Sequence, residues 1–100
     1  MRIGTTPTHN FTLPIDVSIV KDVEITYSQG ETIILQKHGI DCQLKGNRIS
    51  TTLTQEDTFM FNHKVDVKIQ VRVIDLAGKV FASDVMKVDA KECLSKDVLA

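Results

Sequence analysis

Three histidines, two cysteines and a hydroxyl-rich opening are the features of this 100-residue chain whose types suit chemistry. The opening, Thr5-Thr6-Pro7-Thr8-His9-Asn10-Phe11-Thr12-Leu13-Pro14, carries no formal charge and suggests a nucleophilic hydroxyl, a phosphate loop or an imidazole ligand. Each of these needs company. A hydroxyl nucleophile needs a base within hydrogen-bond reach, and a phosphate loop needs clustered glycines whose backbone N–H groups close round the anion. A metal needs several imidazoles, thiolates or carboxylates converging on one point.

The spacing supplies none of them. His9, His38 and His63 form no i, i+2 or i, i+4 pair, and all three read as surface or turn residues. Cys42 and Cys93 belong to no CxxC or Cys/His cluster; they read as free thiols of a reducing compartment, with a disulfide as the lesser alternative, and Cys42 as packing like a small hydrophobe. Adjacent Glu56 and Asp57 resemble half of a carboxylate pair, but their place behind Thr54 fits a helix cap. There is no GxxxxGK[ST], GxSxG, HExxH or GxGxxG, and all five glycines stand alone. The expectation is a non-enzymatic protein without cofactor or metal.

Composition narrows the partners. A net charge of −1, from 12 basic and 13 acidic side chains, gives no field to attract nucleic acid or an anionic membrane. No apolar run approaches the ~20 residues that span a bilayer, and MRIGTTPTHN lacks the apolar centre of a secretory signal. The reading is a soluble protein that folds in the cytoplasm where it is made. One hundred residues allow one domain, which we place at 1–90, with a tail at 91–100 that is either a short helix or a mobile end.

Period-two alternation dominates the chain and breakers recur every 8–12 residues, the pattern of an all-β sandwich or barrel. Strands are expected at Thr8–Leu13, Asp22–Ser28, Thr32–Lys37, Ile40–Leu44, Ile49–Leu53, His63–Asp75 and Val80–Ala90. One helical turn interrupts them at 54–59. In the sixth, Val65, Val67, Ile69, Val71 and Val73 point inward while Lys64, Asp66, Lys68, Gln70 and Arg72 point outward. In the last, Val80, Ala82, Met86 and Val88 read as inward. Asp84 would then face inward, so either a bulge near Ser83-Asp84 or an edge where the carboxylate reaches water is expected.

These elements predict an antiparallel, immunoglobulin-like β-sandwich of about seven strands. The two prolines mark Thr8–Leu13 as an edge strand. Candidate contact residues are therefore the outward stripe Lys64, Asp66, Lys68, Gln70 and Arg72, and Thr8, Asn10 and Thr12 on the edge. A carbohydrate module is a lesser alternative, because sugar platforms are aromatic and the chain has one Tyr, four Phe and no Trp.

Four blocks carry a family likeness: GTTPTHNFTLP at 4–14, VEITYSQGETIILQK at 23–37, LTQEDTFMF at 53–61 and VKIQVRVIDLAGKVFASDVMKV at 67–88. Together they resemble a family of short proteins encoded in phages and prophages of Gram-positive bacteria, particularly Firmicutes. A weaker likeness in layout is to the N-terminal immunoglobulin-like domains of phage baseplate upper proteins. The resemblance implies a virion protein of the tail or baseplate, made in the bacterial cytoplasm, with other virion proteins or copies of itself as partners. It carries over no site residues. The alternative within the same setting is a small phage protein that binds a host factor.

Overall fold

Alternating side chains can bury one face of a strand only if a second sheet covers it, and that requirement organises this molecule. A computed structural model describes residues 1–100. Its strands are β1 (Thr8–Thr12), β2 (Val20–Gln29), β3 (Thr32–His38), β4 (Cys42–Lys45), β5 (Arg48–Thr52), β6 (Val67–Asp75), β7 (Val80–Ala82) and β8 (Met86–Val88). A single α-helical turn, α1 (Gln55–Phe59), lies between β5 and β6. Two antiparallel sheets result: β1-β5-β4, and β3-β2-β6 with β7 and β8 both paired to the far side of β6.

The fold is an all-β sandwich. In strand order it departs from the immunoglobulin arrangement, where the second strand shares a sheet with the first and fifth. Here β2 lies between β3 and β6. The two-residue turn after Gln29, with Gly30 at φ +58°, leads β3 straight back along β2, and β6 takes the other edge of β2.

Between the sheets, Val23, Ile25 and Tyr27 of β2 and Val67, Ile69, Val71 and Val73 of β6 meet Phe11 of β1 and Ile49 of β5. Leu13 and Leu53, one residue beyond those strands, close the same core. Each such side chain contributes roughly 1.5–3 kcal/mol by leaving water.

Several expectations need correction. The sixth strand starts at Val67, four residues late, and Val65 is 39% exposed. Gln29 explains the delay: its buried amide donates to the carbonyls of Asn62 (2.7 Å) and Val65 (2.8 Å) and accepts from Asn62 N–H (2.8 Å), holding this segment in a loop. Ile40 falls in a 3₁₀ turn and is 95% exposed, because Asp41 caps the backbone N–H of His38 and ends the strand there.

The bulge near Ser83 is present, and it inverts the expected faces of β7. Phe81 lies opposite the buried Val73, so Phe81 points inward while Val80 and Ala82 point out. Met86 and Val88 lie opposite Ile69 and Val67 and keep the expected inward side. The pairing shifts by one residue between the two strands. Ser83 fills the gap, its N–H donating to Val71 O (2.8 Å) and its Oγ accepting from Val71 N–H (3.0 Å).

The helical turn forms as its sequence asks. Thr54 Oγ1 accepts from Asp57 N–H (3.0 Å), and Asp57 Oδ2 accepts from Thr54 N–H (2.9 Å). The segment after Lys91 takes no helical turn. It lies against the body through Ile3 N–H to Lys91 O (2.9 Å), Lys91 N–H to Met1 O (2.7 Å) and a two-bond clasp of Leu99 by the Gln55 amide.

Candidate interaction surface

The two groups of candidate residues lie on opposite outer faces of the sandwich. Lys68, Gln70 and Arg72 stand on the outside of β6, opposite Ser28, Thr26 and Glu24 of β2. Two of them are already engaged within the molecule. Arg72 Nε and Nη2 both donate to Glu24 Oε1 (3.0 and 2.9 Å), and Gln70 Nε2 donates to Ser83 O (3.0 Å). Lys64 and Asp66 do not belong to this stripe, because they sit in the loop that Gln29 holds and not on a strand.

Thr8, Asn10 and Thr12 form a row on the outside of β1, opposite Thr52, Ser50 and Arg48. Thr8 and Thr52 hydroxyls are 2.8 Å apart, and Ser50 Oγ donates to Asn10 Oδ1 (2.6 Å). The backbone of these residues is more consequential than their side chains. Leu13 N–H donates to Asn47 O and Leu53 N–H to Pro7 O, so the odd-numbered residues of this segment face β5. In an antiparallel ladder the intervening residues direct N–H and C=O the other way. For Thr8, Asn10 and Thr12 that direction is the open edge of the sheet, since β1 is an end strand.

The space beside this edge is an apolar groove of about 400 Å³. Phe11, Leu13 and Pro14 form one wall and Val71, Val73, Phe81 and Met86 the other, so it runs between β1 and the β7–β8 edge of the opposite sheet. No charged residue lines it. The other side of the sandwich differs: the 3₁₀ turn Gly39–Asp41 carries the chain directly from β3 to β4 and spans the two sheets there. Sequence alternation marked Phe11 and Leu13 as inward, but the groove depends on the bulge that turns Phe81 inward.

His9 is also misplaced by the sequence reading. It shares the parity of Phe11 and Leu13 and so faces the core, where its Nδ1 lies 2.8 Å from the hydroxyl of fully buried Tyr27. Burial, with the positive N-terminus second, holds its pKa below the ordinary value of 6.5. Burial likewise pushes the Tyr27 hydroxyl far up, so it stays protonated. Thr51 faces both His9 and Cys42 across the three-stranded sheet, which puts those two residues two strands, about 10 Å, apart. Burial raises the Cys42 thiol, more than the Thr51 hydroxyl and Lys37 lower it, and its Sγ donates to His38 O (3.2 Å). The arrangement holds a thiol and not a thiolate.

His63 Nε2 lies 3.9 Å from Glu92 on the surface, and no three His, Cys, Asp or Glu side chains converge as metal ligands. Lys37 reaches Asp57 across 3.0 Å with both side chains largely covered, which ties β3 to α1. Of the five aromatic residues, Phe11, Tyr27 and Phe61 are buried and Phe59 and Phe81 are half-buried. No helix is long and apolar enough to cross a membrane.

The molecule is thus an all-β sandwich with one open side. Neither a family model, a curated protein nor a solved structure matches the chain.

Proposed function

We propose that this protein is a non-enzymatic assembly component of a phage particle, associated with the tail or baseplate, and that it works by protein–protein contact. The observation that supports this reading is the open side of the sandwich, where an unpaired backbone edge borders an apolar groove. Exposed sheet edges of this kind recruit further strands. The family likeness of the sequence supplies the phage setting.

The chemistry of the interior agrees with a binding role. Its polar residues are spent on internal hydrogen bonds, and burial holds the Cys42 thiol in its protonated, less reactive form. Mass spectrometry of purified particles tests the proposal. The protein is expected among the structural components, in a gene neighbourhood of tail and baseplate proteins. Abundance in infected cells combined with absence from particles would refute it and favour a host-factor partner.

A further inference from the structure

We propose that the open side is a strand-receiving groove. An extended, uncharged segment of a partner protein pairs with β1 through the backbone of Thr8, Asn10 and Thr12. It places two apolar side chains, two residues apart, opposite Phe11 and Leu13. This deepens the assembly reading by naming its contact.

The four sheet edges are not equivalent. Natural edges are blunted by charge, bulges or brevity. β3 carries Lys37 and a bulge at its pairing with Tyr27 and Ser28; β4 has four residues and ends in Lys45. β7 and β8 have three residues each, with Lys87 in the second. β1 alone has five residues, regular pairing and no formally charged side chain. Only Pro7 and Pro14 restrain it, and they lie outside the strand. An edge left open to pairing, beside a groove of about 400 Å³, is within the ~300–1,000 Å³ usual for ligand clefts.

The occupant follows from charge and area. A groove without charged lining residues rejects charged side chains, whose desolvation it cannot repay. That excludes the chain's own tail from another copy: in one register Lys96 would enter between Leu94 and Val98, in the other Asp97 beside Leu99. Edge-to-edge pairing of two β1 strands fits no better. Their inward side chains already belong to their own cores, and a contact about 16 Å long falls far short of the ~800 Å² per partner that a stable dimer uses. A segment not yet packed elsewhere can supply both backbone and side chains.

The test uses the full-length protein and a display library of nonapeptides, followed by amide exchange measured by NMR with the best-enriched synthetic peptide. Enriched peptides should alternate apolar with uncharged polar residues, and the amides of Thr8, Asn10 and Thr12 should exchange at least tenfold more slowly when the peptide is bound. Methylating the peptide's backbone nitrogens that face β1 should abolish binding to the unaltered protein. Asn10→Pro, which removes a free-edge donor without touching the β1–β5 ladder, should weaken binding at least tenfold, while Asn10→Ala should not. Enrichment without alternation, or protection at β3 or β4, would overturn the proposal. So would concentration-dependent protection of the same amides without peptide, which would assign the edge to a second copy. Absence of the protein from particles would sink the assembly reading and leave this groove standing.

Discussion

Gln29→Ala tests how this sandwich decides where its central strand begins. Gln29 is only 8% exposed, and its side chain makes three hydrogen bonds of 2.7–2.8 Å to the backbone of Asn62 and Val65. At about 1 kcal/mol net for each, their loss removes about 3 kcal/mol. For a domain of this size each kcal/mol shifts Tm by about 4–8 °C, so a fall of about 12–24 °C is expected by far-UV circular dichroism. Gln29→Glu separates the hydrogen bonds from the space filled. It keeps the shape but turns a carboxylate toward two carbonyl oxygens, so at pH 7 it should destabilise more than Gln29→Ala.

Its pH dependence has a definite sign. A carboxyl group buried against carbonyls has a folded pKa raised above its unfolded value of about 4.3. The unfolded chain then loses its proton first, so the penalty is complete above the folded pKa and fades as pH falls toward 4. A Gln29→Ala protein that melts within 3 °C of the wild type would refute the claim that this amide fixes the loop and the start of β6.

Three further outcomes are expected. Because the folded state holds the His9 pKa below 6.5, the unfolded chain takes up a proton first; stability should fall as pH drops from about 6.5 through the folded pKa. His9→Gln should lack that component in pH-dependent urea melts. At Asp57, burial opposes ionisation but hydrogen bonds from Thr54 and Lys37 outweigh it, so the pKa lies below 3.8 and its stabilisation is lost as pH falls through the folded value. Asp57→Ala, which also removes the cap, should cost about 1–2 kcal/mol at pH 7 in denaturant titrations and show less acid sensitivity. Finally, Cys42 should alkylate more slowly in the folded protein than in urea at pH 8, because burial raises its pKa. Equal rates, read by mass spectrometry of the modified peptide, would show the thiol to be open.

Much of the fold was legible in the sequence because local rules decided it. Alternation placed Val23, Ile25 and Tyr27 inward, Thr54 and Asp57 announced their reciprocal cap, and Asp84 on an otherwise apolar face pointed to a bulge or an edge open to water, of which the bulge is present. Thr8, Asn10 and Thr12 were identified as an edge from two prolines, and β1 is an edge.

What the chain alone did not disclose depends on partners distant in sequence. Lys64 and Asp66 continue the alternation of β6, yet Gln29, more than thirty residues earlier, captures the backbone beside them more effectively than a neighbouring strand does. His9 lies at an inward position whose meaning depends on Tyr27 across the core. Strand order, which put β2 between β3 and β6, and the groove, which needs β1 and β7 to end opposite sheets on the same side, are properties of packing. Periodicity determines which face of a strand is apolar, whereas only the assembled sheets determine which edges are left without a neighbour.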